Sequence, residues 1–373
     1  LKALSLAHIQ VGMGNASSQH LPASQAARQA AQLVPGWQGL STSIVVEPLG
    51  GASKTVFKLS CTTDSQVFCV RVLRQDRDQN LEAVTQKLAA VGLTPSIVGV
   101  SRAALVQQFV TGSRPAGLRV QAGVSSSEPG AIERLGQFVG RFHNVPLDFG
   151  AKALRWVTDA QAHKHFQNLT QHVQGKLSRR SLNVSAELAQ LERDLPRQME
   201  EVVLTHGDLH YGNMIETSAG DLYAIDLESV GPRSPVSDLS YLFLHSSLDN
   251  HGYPAFASRR RFAAAYLQER NKSSNDDAID KLLFAIELEW PFQACWLFCI
   301  LALLAPEFIS ISEFMLGLLP AARQELLQSK SDPQARKLVI EKGVYGIVGA
   351  GRGTAADVSK GTIVFSGEGV RLD

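Results

Sequence analysis

The chain has 373 residues, of which 45% are hydrophobic and 19% charged, with a net charge of +1. That length suits two domains or one two-lobed unit with a developed core, and the composition excludes a disordered chain. The near-neutral balance gives no electrostatic reason to expect nucleic acid or an anionic membrane as partner.

Residues 1–40 are rich in Ala, Ser and Gln and read as a loosely ordered N-terminal extension with one short helix. Three β-rich segments follow: SIVVEPL (43–49), TVFKLSC (55–61) and QVFCVRVL (66–73). GGASK and TTDS join them as turns. NLEAVTQKLAAVG (80–92) predicts a helix closed by glycine, and SIVGV and ALVQQFV (104–110) predict two more strands before the breaker TGSRP. This order predicts a small antiparallel sheet with one helix packed on it over 41–114. From residue 115 to 335 the pattern is mainly helical, with apolar residues at three-to-four spacing in 132–145, 159–173 and 185–195. VVLTHGD, NMIET and LYAID interrupt it as short strands around a loop. The apolar run PFQACWLFCILALLAP (291–306) is short for a membrane span and reads as a core helix. The tail 336–373 is glycine-rich. Its GAGRG lacks the third-glycine spacing and the room of a dinucleotide-binding unit, so a hairpin is expected there. Cys61, Cys69, Cys295 and Cys299 have no strong zinc spacing and predict packed thiols in a reducing, cytoplasmic setting.

The densest chemistry lies in LTHGDLHYGN (204–213), followed by AIDLESVG (224–231). His206, Asp208 and His210 alternate as metal ligands on one face of a strand would, which makes a metal-dependent hydrolase one reading. Phosphoryl transfer asks for an aspartate that accepts or orients the hydroxyl proton and an asparagine five residues later to bind magnesium. A second aspartate must follow beyond a strand pair. Asp208, Asn213 and Asp226 meet that order. A cation on the third strand (Arg71), a carboxylate on the next helix (Glu82) and a glycine turn between the first strands (Gly50, Gly51, Ala52, Ser53) complete a nucleotide site.

HGDLHYGN followed by AIDLESVG resembles the signature of the aminoglycoside phosphotransferase and choline kinase superfamily, over residues 43 to 330 or so. PLGGASKTVFKL, FCVRVLR, VGLTPSIVGV and LGQFVGRFHNVP are similar to choline and ethanolamine kinases in particular. The resemblance implies an α+β, two-lobed protein-kinase-like fold and transfer of the ATP γ-phosphate, with Mg2+, to a hydroxyl of a small amino alcohol. It implies Asp208 as catalytic base, Asn213 and Asp226 as magnesium ligands, and Arg71 as a phosphate clamp held by Glu82. His206 and Asp238 would support the catalytic loop, and Glu228, Tyr211, Trp290 and Trp296 would form the substrate pocket. Ser229 stands where the family has a tyrosine, Gln293 where it has a second tryptophan, and HGD where choline kinases read HND. These departures keep aminoglycoside, thiamine and sugar acceptors, and an inactive ATP-binding module, as alternatives.

Overall fold

The computed structural model describes residues 23–40, 43–49, 56–73, 79–101, 103–113, 115, 130–148, 168–177, 183–195, 201–246, 253–304, 308–350, 363–366 and 369–372. Two compact units emerge: Leu1–Pro115 with Asn144–Arg155 and His206–Gly231, and Ala116–His143 with Trp156–Thr205 and Pro232–Asp373. The fold is α+β, a five-stranded antiparallel sheet followed by a mainly helical remainder.

In the first unit, α1 (Ala23–Ala30) precedes β1 (Ile44–Pro48), β2 (Val56–Cys61) and β3 (Asp64–Val72). Then come α2 (Gln79–Ala90), β4 (Ile97–Val100) and β5 (Ala104–Gln108). The sheet order is β1-β2-β3-β5-β4, antiparallel throughout. Alternation sends Phe57 and Leu59 of β2 and Phe68 and Val70 of β3 into one core face. Arg71, next to Val70, therefore points to the other face.

That core face is covered by residues expected to stand apart as an extension. Ala27, Ala31, Val34 and Trp37 pack into the same cluster, because small side chains let α1 approach the sheet and one large ring fills the remaining space. The Trp37 indole donates from Nε1 to Asp64 Oδ2 at 2.8 Å and meets the Phe68 ring edge-on at 5.1 Å.

After β6 (Val203–Thr205) the chain re-enters this unit through the loop 206–213 and the antiparallel pair β7 (Met214–Glu216) and β8 (Leu222–Ala224). Thr94 Oγ1 donates to the Ala224 carbonyl at 2.8 Å, and Ala224 N donates to Leu93 O at 2.8 Å. Ser113 and Glu216 exchange two backbone hydrogen bonds of 2.9 and 2.8 Å. The pair is thus tied to the sheet's own connections.

The second unit holds α3 (Ala131–His143), α4 (168–174), α5 (Val184–Asp194), α6 (Pro235–Ser246), α7 (Phe256–Glu269) and α8 (Asp276–Leu304). The strand β9 (Gly231–Arg233) leads into α6, and α9 (Ile309–Leu316), α10 (Leu319–Ser331), α11 (Pro333–Lys342) and α12 (Val344–Ala350) close the helical part. Asn183 caps α5 and Asp332 caps α11 through their side-chain oxygens, as short polar residues do at helix starts. The tail forms the expected hairpin, β10 (Ile363–Ser366) with β11 (Gly369–Leu372).

The apolar run expected as a core helix from Pro291 is the second half of a longer helix, α8, which runs through that proline. A proline there cannot give the hydrogen bond that would reach the Glu287 carbonyl. By length and apolarity α8 would reach across a bilayer, yet 78% of its most apolar window is buried in protein, the mark of a core helix. Beside Pro291 lies a buried polar knot. Glu287 accepts from Tyr253 Oη at 2.7 Å, Arg259 Nη1 at 2.9 Å and Val344 N at 2.8 Å. Arg259 also donates to the Pro254 and Glu341 carbonyls. Burial pushes the Glu287 carboxyl above its ordinary range, and the neighbouring Arg259 pulls against that rise.

Candidate active site

The loop after β6 turns at Gly207, whose φ of +76° lies in the left-handed region. Glycine and asparagine are the residues that enter this region most readily, so HGD and HND meet the same backbone demand. Asp208 follows, buried. Asn213 Nδ2 donates to the Asp208 carbonyl at 2.9 Å and to Asp208 Oδ2 at 3.0 Å, which fixes the carboxylate across the turn. Because the amide nitrogen is used in this way, the Asn213 Oδ1 is the end left to accept.

Both histidines that suggested a metal serve the backbone. His206 Nε2 lies 2.9 Å from the Ile225 carbonyl, so that nitrogen carries the hydrogen and ties the loop to the end of β8. His210 Nδ1 accepts from Gly212 N at 3.0 Å, and its Nε2 stands 3.8 Å from Asp208 Oδ1. Among the described residues no three His, Cys, Asp or Glu side chains converge as a metal cluster. A hard oxygen-seeking cation that keeps water and phosphate ligands needs fewer protein groups, and the Asn213 carbonyl with the Asp226 carboxylate fits it.

Asp226 sits after β8 with φ 59° and ψ 55°, an uncommon conformation for a residue with a side chain. The left-handed step leads into a single 3₁₀ turn, Leu227–Ser229. Arg71 of β3 meets both carboxylates of this turn: Nη2 lies 3.1 Å from Asp226 Oδ1, and Nη1 pairs with Glu228 Oε1. Burial opposes the charge on Arg71, and Asp226 and Glu228 outweigh it, raising its pKa. Burial also pushes the Cys69 thiol up to about 11, so this neighbour of Arg71 stays protonated and inert.

Cys69, Arg71, Asn213 and Asp226 line one cavity of about 230 Å³ built from the first unit alone. Val56, Leu105, Ile215 and Ile225 form apolar walls, and Arg71, Asn213 and Asp226 supply a polar end. Such a shape suits a flat heterocycle with an anionic tail.

Other expected residues are distributed differently. Arg71 does not pair with Glu82, whose carboxylate accepts from Gln86 in its own helix at 3.1 Å; the turn after Asp226 delivers two carboxylates to the guanidinium first. Glu228 is engaged by that arginine. Tyr211 is buried in the 3₁₀ turn Tyr211–Asn213. Trp290 is 0% exposed, with its ring 6.0 Å from that of Tyr345, so it is a core residue and offers no face to a solute. Trp296 is half-buried. Within the second unit, Asp238 Oδ2 lies 3.2 Å from His143 Nε2, and His143 Nδ1 lies 2.9 Å from the Tyr266 hydroxyl. The turn carrying Gly50, Gly51, Ala52 and Ser53 falls outside the described residues. The Arg71–Glu228 contact went unseen in the sequence, where 157 positions separate the two and no spacing links them.

Comparison with known proteins bears on this geometry. The sequence profile described as Choline/ethanolamine kinase matches residues 45–324. A protein of Arabidopsis thaliana named "Probable choline kinase 2" is 22% identical over 66% of this chain and 75% of its own length. "Probable choline kinase 1" of the same plant is 26% identical over 38% of this chain, a match spanning 44% of that protein. The crystal structure of a choline kinase from Cryptosporidium parvum Iowa II superposes with a TM-score of 0.63 at 14% identity, covering 86% of this chain and 97% of that one. At that identity the superposition speaks for the fold alone.

Proposed function

The chain belongs to the choline/ethanolamine kinase family, and on that premise we propose that it phosphorylates a small amino alcohol, choline or ethanolamine, using ATP. Kinases of this family use ATP and move its phosphate to an alcohol. The observation that carries the reading is the Asp208–Asn213 pair: one amide nitrogen holds both the carbonyl and a carboxylate oxygen of the aspartate. A carboxylate so fixed is a general base that needs no reorganisation when the acceptor arrives.

In the reaction the acceptor oxygen bonds to the γ-phosphorus, the bond to the β-phosphate oxygen breaks, and ADP leaves. The hydroxyl proton passes to the Asp208 carboxylate. Arg71 answers the negative charge of the phosphates, and the apolar walls of the cavity receive the adenine. Magnesium, held by Asn213 Oδ1 and Asp226, would neutralise charge on the β- and γ-phosphates. Catalysis in this scheme is chiefly positioning and electrostatics.

The test is ADP release from Mg-ATP against a panel of choline, ethanolamine, thiamine and aminoglycosides. Turnover should be highest with one of the two amino alcohols. Turnover confined to thiamine or an aminoglycoside overturns the acceptor class, and ATP binding without turnover on any of them overturns the enzymatic reading.

A further inference from the structure

We propose that Glu228, and not the α2 carboxylate Glu82, is the residue that positions Arg71 for the nucleotide phosphates. The proposal rests on the kinase reading above and assigns Glu228 to the nucleotide side of the reaction instead of to the acceptor amine.

Three observations carry it. First, the terminal nitrogens of Arg71 reach two carboxylates of one short turn, Nη1 to Glu228 and Nη2 to Asp226. Second, the α2 residue that chain order nominates is occupied elsewhere, accepting from Gln86 Nε2. Third, the backbone explains the arrangement. The left-handed step at Asp226 and the 3₁₀ turn behind it bring residues 226 and 228 to the same guanidinium.

The identity of residue 71 fits this arrangement. A guanidinium is a planar fork whose two ends can serve two carboxylates at once, whereas an ammonium is a single point charge. An arginine on the third strand and a glutamate two positions beyond Asp226 thus form a matched set. Glu228 fixes one end of the fork, and the side chain is held on the cavity face of β3 before any nucleotide enters. Glu228 is therefore a positioning residue that acts through Arg71.

The experiment measures ADP affinity by titration calorimetry, in magnesium and again in EDTA, for the full chain and for Glu228→Gln, Glu82→Gln, Arg71→Met and the Arg71→Met/Glu228→Gln pair. Glu228→Gln should weaken ADP binding by about fivefold or more in both buffers, as losing a charge-assisted partner does. Glu82→Gln should change it by less than about twofold, as surface substitutions commonly do. The double variant should bind ADP no more weakly than Arg71→Met alone, because Glu228 has nothing further to act through. Should Glu228→Gln fail to fold, as judged by circular dichroism, Glu228→Asp takes its place in the same cycle. That variant keeps the charge but shortens its reach.

A Glu228→Gln effect seen only with magnesium would make Glu228 a metal ligand and overturn the proposal. So would an unchanged ADP affinity with a raised KM for the amino alcohol, or additive losses in the cycle. No ADP binding by the unaltered chain would instead overturn the kinase reading itself, and no acceptor needs to be known to see the difference.

Discussion

Two arginines, one in each unit, meet carboxylates in opposite ways. Arg259 and Glu287 are 1% and 0% exposed, and every neighbour completes them: two backbone carbonyls for the guanidinium, a phenol and a backbone N–H for the carboxylate. The side chains of Arg71, Asp226 and Glu228 are 12%, 16% and 19% exposed, two carboxylates meet one guanidinium, and Arg71 and Asp226 line a cavity. A saturated network fixes a fold, since nothing remains to bind anything else. Arg71 and Asp226 instead stand at the polar end of an apolar pocket, where the proposed function puts the nucleotide phosphates.

The contrast can be broken by substitution. The largest effect is expected at Asp208→Ala and Asp226→Ala, each lowering kcat by about 10²–10⁴-fold with little change in melting temperature, as removal of a base or a charge-bearing group does. Steady-state ADP release and a thermal melt check the two halves of that statement. If either variant keeps near-normal turnover, the active-site assignment fails.

Glu287→Gln should behave in the opposite sense. It leaves Arg259 buried without its counter-charge, and a loss of about 3–5 kcal/mol in unfolding free energy is expected. Denaturant unfolding measures it, and ADP affinity should hold wherever the variant is folded.

Gly343→Ala probes the same knot from the backbone. The residue has φ +73°, and a Cβ there would lie 2.4 Å from Tyr253 Cε1, a ring held by its bond to Glu287. A loss of about 1–3 kcal/mol is expected from the strained backbone alone. A melt indistinguishable from the parent would show the knot to be soft.

The smallest effect concerns pH. Burial pushes the Glu201 carboxyl up, but Lys272 and Arg270 outweigh it and hold the group below its ordinary value of 4.5. A carboxyl depressed in the folded state adds stability above its unfolded value and loses it as pH falls through the folded one. Glu201→Gln should therefore flatten the fall in stability below about pH 4.5, read as melting temperature against pH.

Much of the architecture was legible because alternation and three-to-four spacing are local. β1, β2, β3 and α2 lie where the sequence puts them, and so do the short strands around the loop. Within the site, the spacing of Asp208 and Asn213 became a hydrogen bond because both belong to one turn. What stayed hidden depends on long-range geometry. Chain order offered Glu82 as the partner of Arg71, and nothing in DLES announced that Asp226 would adopt a left-handed backbone. Trp290 looked like a ligand face because an apolar helix shows its aromatic residues without showing which side is covered. Trp37 looked like part of a loose tail because a single ring in a short stretch broken by Pro35, Gly36 and Gly39 has no periodicity to betray its burial.

That last residue has a practical consequence for where the protein can be cut. A chain trimmed to begin at β1 keeps every strand of the sheet but loses α1 and Trp37, the cover over Phe57, Leu59, Phe68 and Val70. It would present a broad apolar surface to water and to its own copies, which is the profile of an insoluble product. A piece that keeps the sheet covered therefore starts no later than α1 at Ala23, well before the first strand.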